Sequence, residues 1–367
     1  MADPSSRQST AAFHKELVAA AVLAPTPDNN QPWRFSSQGD RLLIDLDRRR
    51  ALPSDVNGMF DLVGVGAAIE NAAIAARQSD CELKAEYHGS LDGLADETLR
   101  RVATLTCSGG GEPDPLHPFL SKRCTSRKMY STRPVDPEAL ARLGAEVVRF
   151  RGIQLEWIAE RRRIRAFARV VASSDQYRFQ YRPFHEEIFR QLRFTPAEAE
   201  ATRDGLDLRS LELPPGTGLL LRWMRPWHRM QWLQRLRVDR ALTFPSLLSV
   251  WKSGALGALS VPEPGLAQFV DGGRAFQRLW LAVAREGLSL HPLGSLPVFL
   301  AHLEQLAGEK INAAHQKLAA RLGTRLRELV PSTRGRTLLM LFRIGHASPP
   351  SVGSLRRPVE EVMDLPG

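Results

Sequence analysis

The sequence predicts an α+β protein of two lobes, each a mixed sheet flanked by helices. Three observations carry this reading. The 367 residues exceed the ~100–200 that one domain usually holds. The composition, 43% hydrophobic and 25% charged, is that of an ordinary globular chain. A helix followed by a strand, then another helix and strand, occurs on both sides of a Gly/Pro-rich stretch, which makes a structural duplication more economical than two unrelated domains.

The elements follow in order. AAFHKELVAAAVL, 11–23, is amphipathic, with Ser9 or Thr10 as cap and Pro25 as stop. RLLIDLD at 41–47 alternates as a strand should. DLVGVGAAIENAAIAARQ, 61–78, is small and apolar nearly all round, which describes a helix buried between layers. CELKAEY, 81–87, and LRRVATLTC, 99–107, are strand candidates, and SGGGEPDP at 108–115 reads as a linker. The predicted lobes are therefore 1–118 and 119–367. The second opens with a helix behind an Asp136 cap, then the strand GIQLEWIAE and a helix near 161–173. Residues 174–243 break the rhythm as an insertion. Beyond it lie PSLLSVWK, the helix GRAFQRLWLAVAREG, the short segment LSLHPLGSLP, helices from about 298 to 328, and the strand TLLMLFRIG.

Cys81, Cys107 and Cys124 show no C-x-x-C and no zinc spacing, so neither a disulfide framework nor a metal site is expected. MADPSSRQST has no apolar signal core, and no window approaches ~18 consecutive apolar residues, so a cytoplasmic location is expected. The net charge of +10 comes from 43 Arg against 7 Lys. Arg offers a planar fork for phosphate, but here it is dispersed among acids as on a solvated surface, and specific nucleic-acid binding is not expected.

Three stretches carry candidate chemistry. APTPDNNQPWRF, 24–35, packs three prolines and three side-chain amides before a Trp, a rigid loop shaped to present hydrogen-bonding groups to something planar. In KRCTSRK, 122–128, Arg123, Thr125 and Arg127 alternate, so an extended backbone puts all three on one face as a phosphate clamp; a solvated basic turn is the plainer alternative. SLRRPVEE, 354–361, adds an Arg pair in a chain stiffened by prolines, with a basic tail as its alternative. Converging, the three would describe a mononucleotide site.

These residues resemble a family. Ala24-Pro25-Thr26 followed by Asn29-x-Gln31-Pro32-Trp33 is similar to the A-P-S-x-x-N-x-Q-P-W loop of FMN-dependent nitroreductases. RCTSR resembles their R-R-S-x-R phosphate motif, with Cys124 and Thr125 substituted; HPLGS resembles their P-x-x-G segment, LLMLFRIGHA the strand leading to their C-terminal Arg, and LRRP that Arg. In that family the phosphate motif precedes the loop; here it follows. Each half retains what the other lacks, which resembles the two-lobed Acg branch: an intrachain pseudo-dimer with one FMN site at the lobe interface, monomeric or weakly dimeric.

The resemblance implies that Pro25, Thr26, Pro27 and Asn29 line the flavin ring, and that Arg123, Thr125, Arg127 and Arg356 hold the phosphate, with Arg357 the alternative to Arg356. Pro292, Leu293 and Gly294 would aim a backbone N–H at flavin N5. Gln31, Pro32 and Trp33 would fix the loop. It implies NAD(P)H as donor, a nitroaromatic or quinone as acceptor, and no protein acid or base. A protein that sequesters FMN, and a flavin-dependent dehydrogenase acting on a pathway intermediate, are the alternatives.

Other signals have plainer readings. GVGAAIEN, 64–71, lacks the third Gly of a dinucleotide fingerprint and is read as close helix packing. HEEIF, 185–189, has no second His and is read as exposed helix. Cys124, flanked by Arg, is read as a bystander rather than a reactive thiol. The segment 219–240, with six Arg and three Trp, is read as a lid over the flavin, with membrane contact and single-stranded nucleic acid as minor readings.

Overall fold

The computed structural model describes residues 4–94, 97–305 and 312–364. The fold class is α+β. The chain divides into two compact units, each discontinuous in sequence: 1–123, 265–285 and 355–367 form the first, 124–264 and 286–354 the second. This differs from the expected division into 1–118 and 119–367. The helix Leu266–Arg285 packs along Met59–Ala76, and the short strand Met363–Asp364 pairs with Trp33–Gln38, so apolar burial and ladder bonds draw both late segments into the first unit.

The first unit is built on a five-stranded sheet in the order Met363–Asp364, Trp33–Gln38, Arg41–Asp47, Leu99–Gly109, Cys81–Tyr87. Its pairs are antiparallel except the first, which is parallel. Trp33 and Phe35, two residues apart, turn to one face and are fully buried. The N-terminal helix runs Pro4–Ala21, starting earlier than expected. Met59–Ala76 is buried along nearly its whole length, as its small apolar sequence predicts. The Asp55 carboxylate starts this helix, accepting from the backbone N–H groups of Phe60 and Asp61, both at 2.9 Å.

Met59–Ala76 and Leu266–Arg285 cross through reciprocal glycines. A Cβ on Gly66 would lie 2.0 Å from the Val270 carbonyl oxygen, and one on Gly273 would lie 2.1 Å from that of Val63. Close helix packing is thus what Gly66, within 64–71, serves. The crossing is tied by buried charge: Glu70 pairs with Arg274 at 2.9 Å and Arg278 at 3.0 Å, and Arg278 reaches Asp114 at 2.8 Å. Asp114 belongs to the expected linker, which is instead a packed strap: Leu99–Gly109 extends into it, and Gly111 lies against the backbone of Cys81. A disulfide joins Cys81 and Cys107 across neighbouring strands, Cα atoms 5.6 Å apart, correcting the expectation of none. The odd cysteine count and sequence spacing carry no signal of this cross-strand proximity.

The second unit has a four-stranded antiparallel sheet in the order Gln154–Ile158, Ala255–Val261, Thr337–Gly345, Ser289–Pro292. Numbered by appearance, the order is first, second, fourth, third. The four long strands of the first unit follow the same order, so the repeat seen in sequence extends to topology. Ala255–Val261 has no counterpart in the sequence-based elements; all seven residues are buried, so it shows no alternation. Asp136 caps Pro137–Val148 by accepting from the Glu138 N–H. Ile158, Phe167, Leu256, Leu296 and Leu341 share the main core. The 174–243 stretch is largely helical and carries a small core of its own around Phe189, Met224, Met230 and Leu233. His185, expected on an exposed helix, is fully buried there, with Nε2 3.1 Å from the Met224 carbonyl oxygen. That contact places it inside the insertion's own core.

Candidate functional site

In the first unit the loop 24–33 is held in a conformation that few residues accept. Asp28, Asn29 and Gln31 have φ of 45°, 58° and 50°, three left-handed residues among four. Side chains enforce it. The Thr26 hydroxyl accepts from the Gln31 N–H at 3.0 Å, and Asn30 donates to the Asp61 carboxylate at 2.8 Å. Arg50 Nε returns a bond to the Asn30 carbonyl at 2.6 Å. Gly64 of the Met59–Ala76 helix gives the loop room, since a Cβ there would sit 2.9 Å from Thr26 Cγ2. Burial, and then the neighbouring Asp61 carboxylate, raises Asp55 well above the usual carboxyl range.

Residues distant in sequence meet at this loop. Asn29 Nδ2 donates to the Leu355 carbonyl at 3.0 Å, and its Oδ1 accepts from Arg356 at 2.9 Å. Arg123 and Arg356 donate to one oxygen, the carbonyl of Leu23, at 3.2 and 3.3 Å. The Arg123 guanidinium also lies over the Trp280 ring, 4.4 Å from its centre. Arg357 is placed differently: its backbone N–H bonds Gln31 Oε1 at 2.9 Å and its side chain pairs with Glu361 at 3.1 Å. Gln31 and Trp33 are fully buried, anchoring the loop. Two guanidinium groups converging beside a rigid amide loop make a donor set suited to a phosphate or another oxyanion.

Arg123 and Arg356, grouped in sequence with Thr125 and Arg127, thus stand with the first unit's loop, because the unit boundary falls after Arg123 and the C-terminal segment returns at Leu355. Thr125, Arg127, Pro292, Leu293 and Gly294 belong to the second unit. There Thr125 bridges Leu290 in parallel, and the Ser126 N–H donates to the Leu290 carbonyl at 3.0 Å. These contacts align residues 124–128 beside the strand Ser289–Pro292. Arg127 donates to the Ser210 carbonyl at 3.2 Å. Pro292 has no N–H and Leu293 gives its own to Leu341 at 2.7 Å, so among the described residues Gly294 holds the N–H of the three that makes no backbone bond. A Cβ on Gly294 would meet nothing within 4 Å.

Sequence reasoning missed the groups beneath these residues. Arg343, fully buried, donates to His291 Nδ1 at 3.1 Å and to the Lys128 carbonyl at 2.9 Å, with its guanidinium 3.9 Å from the centre of the Tyr130 ring. Burial lowers Arg343 to about 10, and burial followed by the Arg343 and Arg127 charges drives His291 well below the usual imidazole value. His291 is therefore neutral, with Nδ1 as acceptor. An Arg in a strand that is otherwise apolar, as in LLMLFRIG, was the available signal for this post. Trp280 and the Leu23 carbonyl had none.

No family model matches the chain. Over 346 residues it is 30% identical to an uncharacterized protein of Mycobacterium tuberculosis (strain CDC 1551 / Oshkosh), MT1398, covering 93% of this chain and 47% of that one. The chain thus spans about half the length of the curated relative it matches. Among solved structures it is similar to the FMN and NADPH-dependent nitroreductase NfnB from sphigopyxis sp. strain HMH, with TM-score 0.40 and 18% identity, over 69% of this chain and 100% of that one. It is similar to the FMN-dependent nitroreductase NfnB from Mycobacterium smegmatis in complex with NADPH, with TM-score 0.35 and 16% identity, over 66% and 94%. A nitroreductase with bound FMN from Bacteroides fragilis NCTC 9343 matches with TM-score 0.35 and 8% identity, over 65% and 91%.

Proposed function

We propose that the chain is an FMN-binding oxidoreductase of the nitroreductase kind, in its two-lobed Acg-type branch. The observation that supports this most is the meeting of Arg123 and Arg356 at the Leu23 carbonyl, with Asn29 accepting from Arg356, since those residues come from three motifs that each resemble a flavin-site motif. The donor set fits the group: guanidinium forks suit its phosphate, and the rigid 24–33 loop suits its planar ring.

In this reading Arg123 and Arg356 bind the phosphate, with the Trp280 face fixing the Arg123 plane. Pro25, Thr26, Pro27 and Asn29 position the ring, and the bonds of Thr26, Asn30 and Arg50 keep the left-handed backbone at 28, 29 and 31 from relaxing. The assignment of Thr125, Arg127 and the Pro292–Gly294 segment to the cofactor rests on their motif resemblance. Bound FMN would supply transfer of hydride from reduced nicotinamide through N5 to a small planar acceptor such as a nitroaromatic or quinone.

Anaerobic mixing of the FMN-loaded protein with NADH or NADPH tests the reading. Bleaching of the flavin absorbance followed by recovery on adding a quinone is expected. A flavin that stays yellow with both donors would overturn the oxidoreductase reading and leave a protein that sequesters FMN.

A further inference from the structure

We propose that the helices Thr217–Met224 and Trp227–Arg235, with the chain that continues to residue 251, form a docking surface for an anionic lipid membrane. This goes beyond the proposed redox activity. Both helices already bury one face, where Met224, Met230 and Leu233 join Phe189, Leu192 and Leu206 in a closed cluster. They nevertheless expose a second apolar set. Leu219, Leu220 and Trp223 are spaced to share one side of the first helix, and Trp232 and Leu236 follow at a four-residue interval. The Trp223 and Trp232 rings meet edge to face, 6.3 Å between centres, which makes the two sets continuous. Leu219 is 76% exposed, Trp232 53% and, further on, Phe244 61%.

Charge of one sign surrounds these residues. Between 217 and 240 the sequence holds six Arg and one acid, Asp239. Arg229 lies over the Trp223 ring at 5.4 Å, a pairing suited to a headgroup boundary. Among the described residues no carboxylate pairs with Arg225, Arg235, Arg237 or Arg240. Exposed Trp and Leu set among Arg is the composition of an interfacial helix. Single-stranded nucleic acid would also take up Arg and Trp, but it stacks on aromatic rings and gains little from bare Leu219, Leu220 and Leu236. Among the described residues the one helix long and apolar enough to span a bilayer, within Val56–Ser79, is 94% buried in the fold, so the contact proposed is peripheral.

Sedimentation of the full chain with vesicles of phosphatidylglycerol and phosphatidylcholine in equal parts, at physiological salt, tests this. The protein should pellet with these vesicles and not with phosphatidylcholine alone, with a blue shift in Trp emission. Each Arg at an anionic surface contributes roughly fivefold in partitioning, so Arg225→Glu/Arg235→Glu/Arg237→Glu should lose on the order of a hundredfold or more. Leu219→Ser/Leu220→Ser/Trp232→Ser should lose a similar amount without a change in melting temperature, because these side chains are solvated in the free protein. Should either triple variant fold poorly, Arg225→Glu and Trp232→Ala alone should each lose about fivefold. Wild-type protein that stays in the supernatant overturns the proposal, as does pelleting that neither variant weakens. Binding to an oligothymidine probe with no vesicle binding would assign the surface to nucleic acid instead.

Discussion

Arg123 and Arg356, more than two hundred residues apart in sequence, donate to the same carbonyl oxygen, that of Leu23, at 3.2 and 3.3 Å. Two guanidinium groups held this close repel each other, and an oxyanion placed beside them would offset that repulsion. That gives the pair a measurable role. Arg123→Ala or Arg356→Ala should weaken FMN binding by roughly ten- to a hundredfold, since a charge-assisted bond contributes about 1.5–3 kcal/mol. Riboflavin, which lacks the phosphate, should bind wild type weakly and lose little more in the variants. Flavin fluorescence titration reads both; unchanged FMN affinity in the two variants would remove them from the site.

Stoichiometry provides an independent check. The motif resemblance provides for a single complete set of cofactor residues in the chain, so FMN released by denaturation should amount to about one per polypeptide. Two per chain would contradict the complementary loss of motifs between the halves.

The reciprocal glycines set a packing limit. Gly66→Val and Gly273→Val each drive a side chain into a carbonyl of the opposing helix backbone, where neither group can rotate away. Each should destabilise the fold by about 3 kcal/mol or more, at the upper end for overpacking, and lower the melting temperature accordingly. A melting temperature within error of wild type would show that the helices can separate at little cost.

The Asp114 carboxylate links stability to acid. Burial pushes its pKa up, but bonds from Arg278 and the Leu116 N–H, with the Arg77 charge, hold it net below its ordinary value of 3.8. A carboxylate depressed in the folded state stabilises above its unfolded pKa, and that contribution is lost as pH falls through the folded value. Wild-type stability should therefore decline as pH drops below about 4. Asp114→Asn should cost about 1–3 kcal/mol at neutral pH and show a shallower acid decline. Equal acid slopes in the two proteins would show that Asp114 is not a source of the decline.

Sequence by itself determined what depends on local spacing. Arg41–Asp47 and Cys81–Tyr87 have the bounds their patterns predict, and Asp136 caps its helix as an Asp before a proline should. The buried character of Met59–Ala76 was legible because no polar stripe interrupts it. Ala255–Val261 was not legible, since a strand covered on both faces loses the two-residue period that would mark it. The buried His185 escaped for a related reason: one helix's pattern cannot report that an insertion closes over its own core. Tertiary structure alone decided that Leu266–Arg285 and the C-terminal segment join the first unit, because glycine-allowed backbone approach and a parallel ladder act between residues hundreds of positions apart. It decided the site in the same way. Arg123 and Arg356 could be named from their motifs, but only the folded chain brings both to the Leu23 carbonyl and sets Arg123 on Trp280.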